Sequence, residues 1–114
     1  MADLNFNVNQ YSTFRTTMTF SGSGVDLVNW EFSGSIKESY KKPAITNFII
    51  EKDIPNSRIT VTLLPYQTGL LVKPEYLYDI IVTNIAPNPD EVYRIVEGKI
   101  LVDPGVTESN VGAP

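Results

Sequence analysis

Thirteen carboxylates, with no histidine and no cysteine, limit the chemistry this 114-residue chain could perform. Without an imidazole or a thiol, Ser-His-Asp and Cys-His catalysis and His-ligated zinc are excluded within the chain. Acid–base hydrolysis by two carboxylates remains. Asp90 and Glu91 are adjacent where a turn meets a strand, and neighbouring strand residues point to opposite faces, so a structural or solubilising role is expected. Asp79 interrupts the apolar run from Tyr76 to Val82 and shares its parity with Leu77 and Ile81. That placement predicts a buried or edge acid in need of a partner. Arg94, on the strand expected to return antiparallel, is the natural partner. Asp79–Arg94 therefore reads as a structural ion pair whose removal destabilises the fold without a specific catalytic defect. No catalytic residue and no cofactor is assigned, and the chain reads as a non-enzyme.

Metal, phosphate and nucleic-acid chemistry fare no better. Asp53, Asn56, Asn88 and Asp90 are turn residues with oxygen donors, but their spacing lacks the glycine and terminal glutamate of a calcium loop, so no metal ligand is assigned. Gly22-x-Gly24 has no helix after it and makes no phosphate cradle. The net charge of −4 opposes a nucleic-acid surface, which needs a basic stripe. Lys37, Lys41 and Lys42 form a local basic cluster that Glu38 dilutes, and it reads as a solvated strand end. Nothing approaches the roughly 20 apolar residues of a membrane-spanning helix, and the start shows no signal-peptide pattern. A soluble protein made in the cytosol, with no membrane partner, is expected.

The elements that must position these residues are strands. Leu4, Phe6 and Val8 alternate with asparagines. Phe14, Met18 and Phe20 face away from Arg15, Thr17 and Thr19, and Ser21-Gly22-Ser23-Gly24 ends that run. Trp30, Phe32 and Ile36 line one face of a third strand, placed near the centre of the core for its tryptophan. Gly34 within it predicts a bulge or a close approach. Ile45 to Ile50 reads as a fourth strand, 53–57 as a turn, and Arg58 to Leu64 as a fifth strand. Pro65–Gly69 is the one place for a single helical turn, since Pro74 limits it beyond. Finally, Tyr76–Asn84 and Val92–Val102 flank Pro87-Asn88-Pro89-Asp90, the pattern of a long hairpin.

About seven strands with regular turn signals predict an all-β antiparallel sandwich, immunoglobulin-like in layout, with a partly closed barrel as the alternative. Residues 1–12 read as an N-terminal strand or arm, 13–103 as the sandwich and 104–114 as an extended tail.

Several of these segments resemble, in order, a small β-sandwich structural module of tailed phages and cyanophages, including the N-terminal domain of upper-baseplate proteins. The resembling pieces are Thr13-Phe14, Gly24-Val25-Asp26-Leu27, Lys37-Glu38-Ser39-Tyr40 and Ile59-Thr60-Val61-Thr62 through Gln67-Thr68. They continue with Tyr78-Asp79-Ile80, then Arg94-x-x-Glu97-Gly98, then Pro104-x-Val106-Thr107. The resemblance spans about Thr13 to Thr107 and implies assembly into virions rather than a reaction.

The expected function is that of a phage virion structural protein, a tail- or baseplate-associated assembly or attachment module, built in the host cytoplasm. Capsid decoration is an alternative within the same class. A glycan- or receptor-binding sandwich is the alternative from another class, with Tyr40, Tyr66, Tyr76, Tyr78 and Tyr93 as stacking candidates. Expected partners are other virion proteins or a second copy of the chain, added at open strand edges. Phe6, Tyr11 and Tyr66 are the expected exposed interface anchors.

Overall fold

Alternation of apolar and polar side chains lets each run bury one face against a second layer, and a sandwich results. The computed structural model describes residues 2–20, 27–85 and 91–104. Among them the strands are β1 (Ala2–Asp3), β2 (Phe6–Asn9), β3 (Phe14–Thr19), β4 (Trp30–Lys37) and β5 (Ala44–Asn47). They continue with β6 (Ile49–Asp53), β7 (Arg58–Leu63), β8 (Glu75–Asn84) and β9 (Glu91–Asp103). A 3-10 turn spans Ile54–Asn56, and a single-turn helix, α1, spans Pro65–Gly69. One sheet runs β1-β9-β8-β4-β5, with β2 also on β9; the other runs β3-β7-β6. The protein is an all-β sandwich.

Its core lies between the sheets. Ile59, Val61 and Leu63 of β7 face Ile36 of β4 and Ile80 of β8, all fully buried. An aromatic chain links the layers: Phe6 meets Phe14 at 5.3 Å and Tyr78 at 5.1 Å, and Phe48 meets Tyr78 edge-on at 5.7 Å.

Seven expected strands become nine because two of them are divided. The N-terminal run breaks at Leu4–Asn5, leaving Leu4 exposed while Phe6 and Val8 turn inward. It is no loose arm, since Val8 is only 1% exposed. Both pieces run parallel to β9, so the larger sheet is mixed, not wholly antiparallel. The expected fourth strand changes sheets at Phe48: β5 pairs with β4 and β6 pairs with β7. Phe48 is the buried pivot, and its N–H donates to Gly34 O at 3.0 Å.

Two further expectations hold in part. The third strand does lie inside its sheet, between β8 and β5 with Ile36 fully buried, but not on account of its tryptophan: Trp30 is half-buried at the start of β4, stacked on Tyr93 at 6.2 Å. At Gly34 the pairing with β8 is regular, so of the bulge and the close approach expected there it is the close approach, by Phe48 and the Asp79 carbonyl, that is found. A Cβ there would lie 2.8 Å from Phe48 Cδ2 and 2.9 Å from Asp79 O. The Ser21–Gly24 turn, the 87–90 break and the tail beyond Pro104 lie outside the described residues.

Candidate functional site

The outer face of the six-stranded sheet brings together the side chains with most chemistry. Tyr76, Tyr78, Ile80 and Val82 of β8 point into the core, so Leu77, Asp79 and Ile81 point outward. On β9 a bulge makes the difference. Ile80 pairs with Val96 but Ile81 pairs with Arg94, so Ile95 is the extra residue. In a regular strand, residues three apart face opposite sides; the bulge puts Arg94 and Glu97 on the same outer face as Asp79.

There Arg94 Nε donates to Asp79 Oδ2 at 3.1 Å, and its Nη1 lies 3.6 Å from Glu97 Oε2. The Asp79–Arg94 pair thus forms, but its expected burial is corrected: the side chains are 36% and 49% exposed. Asp79 sits on the solvent face of a central strand. Solvent screens such a pair, so its contribution falls to about 0–1 kcal/mol.

This network lies in a hollow of about 330 Å³ floored by Leu77 and Ile81, with Ser35 and Lys37 of β4 along one side. A second hollow of about 250 Å³, bounded by Asp3, Asn5, Gly98 and Lys99, adjoins it. Tyr40, Leu77 and Glu97 line both, so the two form one groove with Tyr40 at the junction. Tyr40 stands in the turn between β4 and β5 and is 77% exposed. At the turn's other shoulder Glu38 binds Lys73, a contact that lowers the Glu38 carboxyl below its ordinary range and raises the Lys73 ammonium.

The N-terminal strand borders the groove and is pinned from beneath. Tyr78 O–H donates to Leu4 O at 2.6 Å, and burial, with Asp3 adding to it, pushes this phenol far above its ordinary value. Lys99 N–H donates to Asn5 Oδ1 at 2.9 Å. The strand crosses directly over Gly98, where any Cβ would sit 1.8 Å from Leu4 O.

The expected anchors Phe6, Tyr11 and Tyr66 are corrected as exposed residues, since all three are half-buried. Phe6 is held in the aromatic chain described above. Tyr11, at φ 63, lays its ring against Gly69, close enough that a Cβ there would meet Tyr11 Cε1 at 2.6 Å. Tyr66 lies in α1. The turn residues Asp53 and Asn56 do come together, but Asp53 accepts from Asn56 and from Arg58, contacts that lower its carboxyl. Asn88 and Asp90 lie outside the described residues. Among the described residues no group of three acidic side chains is placed to hold a metal ion.

Two buried polar residues, present in the sequence only as part of a motif, join the layers. Gln67 accepts from Leu64 N–H at 2.8 Å and donates to Asn47 O at 2.7 Å and Thr46 Oγ1 at 2.9 Å. Thr68 donates to Ser12 O at 2.9 Å and accepts from Ser12 N–H at 3.1 Å. Tyr76, at the start of β8, accepts from Lys73 N–H at 3.0 Å. No helix among the described residues is long and apolar enough to cross a membrane.

No protein-family model matches the chain, and no curated protein matches it in sequence.

Proposed function

We propose that the chain is a non-enzymatic structural module of a tailed-phage virion, acting in the tail or baseplate as an assembly or attachment unit. One observation carries the reading: pieces of the resemblance on the two strands of the β8–β9 hairpin come together on one face. Tyr78 pairs with Gly98 and Asp79 with Glu97 across the β8–β9 ladder, and Arg94 reaches both acids. The layout proposed is immunoglobulin-like. In support, a β3-β7-β6 sheet faces a β9-β8-β4-β5 sheet, and Tyr76 occupies the corner entering the penultimate strand, bonded to backbone upstream. Partners are other virion proteins or a second copy, met through the strands that end the two sheets: the Asn-rich N-terminal strand at β1, and β5, β3 and β6.

Mass spectrometry of separated heads and tails from purified particles tests the proposal. Recovery in the tail fraction at a copy number matching its symmetry is expected. Recovery in heads moves the module to capsid decoration, and absence from particles refutes the proposal.

A further inference from the structure

We propose that the groove centred on Tyr40 binds a neutral saccharide. A pyranose offers an apolar C–H face and a rim of hydroxyls that both donate and accept. Its site therefore needs an aromatic platform, donors and acceptors in alternation, and little net charge.

The groove meets each requirement. Tyr40 leaves 77% of its surface in water at the junction of two adjoining hollows, so a ring can settle on either side of it. Leu77, on the floor, is shared by both hollows and gives them an apolar base. The basic side chains Lys37, Arg94 and Lys99 are balanced by the acids Asp3, Asp79 and Glu97. Asp79 and Glu97 hold Arg94 from two sides, so its guanidinium is set in place before a ligand arrives. Five donors on that group exceed the two contacts that fix it, and each carboxylate can accept more than it receives from arginine.

The same inventory rejects other ligand classes. A phosphate, sialate or uronate would meet two carboxylates in the middle of the groove. A purely apolar partner would desolvate paired charges with no hydrogen bonds in return. The combined volume suits a short oligosaccharide, within the range of small-molecule sites. The inference rests on this face alone and does not depend on where a particle carries the chain.

The test presents the full chain to a printed array of neutral and acidic oligosaccharides, then titrates the best neutral binder into the ¹⁵N-labelled chain. Binding of hexose or N-acetylhexosamine oligomers is expected, with shifts at Leu77, Asp79 and Glu97. Tyr40→Ala should weaken binding by about tenfold, the loss of one aromatic stacking contact, while Tyr40→Phe stays near the parent. Tyr40 is in an exposed turn, so neither variant threatens the fold. Binding of no glycan, binding of acidic glycans only, or a Tyr40→Ala variant that binds like the parent would each overturn the proposal.

Discussion

Gly98→Ala should release the N-terminal strand while leaving the sandwich folded. An added methyl would lie 1.8 Å from Leu4 O and 2.7 Å from Leu4 C, and a backbone carbonyl has no rotamer with which to yield. The segment from Ala2 to Asn9 must therefore lift away from β9. The first losses are the bonds Leu4 N–H to Glu97 O, Tyr78 O–H to Leu4 O, and Lys99 N–H to Asn5 Oδ1. At about 1 kcal/mol net apiece they total about 3 kcal/mol.

Further lifting would expose Val8, worth about 1.5–3 kcal/mol of burial. Each freed residue regains about 1–2 kcal/mol of backbone entropy, so beyond the first bonds detachment is nearly self-balancing. A net loss of about 3 kcal/mol lies within the 5–15 kcal/mol typical of a domain, so the remaining strands hold. Urea unfolding measures the total. Amide exchange locates it: Leu4 and Gln10, which bond to β9, should lose protection, and Ile59 to Leu63 should keep theirs. A stability loss below about 1 kcal/mol with Leu4 still protected would refute the reasoning, because a surface strand site would then have tolerated the methyl.

Gln67→Ala should cost about 1–3 kcal/mol in urea unfolding, because it removes the partner of the half-buried Leu64 N–H, while Asn47 O, on an exposed residue, can turn to water; Gln67→Glu should fail too, since a carboxylate cannot donate to Asn47 O. Tyr78 holds its proton more tightly folded than unfolded, so its contribution is intact below the ordinary tyrosine value of 10.0 and declines as pH rises above it. Thermal melts should show that decline in the parent and a smaller one in Tyr78→Phe, which starts less stable for want of the Leu4 bond. Asp79→Asn should shift stability by less than about 1 kcal/mol in the same urea assay, as the pair is solvent-exposed.

How much of this was legible in the sequence varied with the physics involved. Regular alternation fixed Arg58–Leu63, where Ile59, Val61 and Leu63 are all buried, and proline placement fixed α1. The Ile45–Ile50 run hid a sheet change. Its apolar residues break the period of two, and only the second sheet explains why Phe48 is buried between exposed Ile45 and Ile49. The Asp79–Arg94 partnership was readable from an acid in an apolar strand opposite an arginine. Its solvent exposure was not, because which face of β8 meets the other sheet depends on Tyr76 and Tyr78 turning inward. Arg94 and Glu97 sharing a face was hidden as well, since a bulge at Ile95 carries no signature in that run. Nor could composition show that Phe6 and Tyr11 are packed: an aromatic in an asparagine-rich arm looks available until its neighbours Phe14 and Gly69 are in place.

The segments that prompted the phage resemblance divide by what they do in space. Gly98 lets a strand pass, Tyr78 ties that strand down, and Gln67 and Thr68 bind the layers, so folding alone accounts for them. Residues of that kind are needed by any chain with this fold, and a fold does not dictate a partner. Tyr40 belongs to another of those segments but lies outside the strands and lines a groove, beside Lys37 at the end of β4. An aromatic left in water on a turn contributes little to folding, so its ring is free to serve a ligand at no cost to the core. Tyr40→Ala therefore separates two kinds of constraint: it should leave the urea midpoint of the parent unchanged while reducing whatever the outer face holds. A variant that lost stability instead would return Tyr40 to the scaffold.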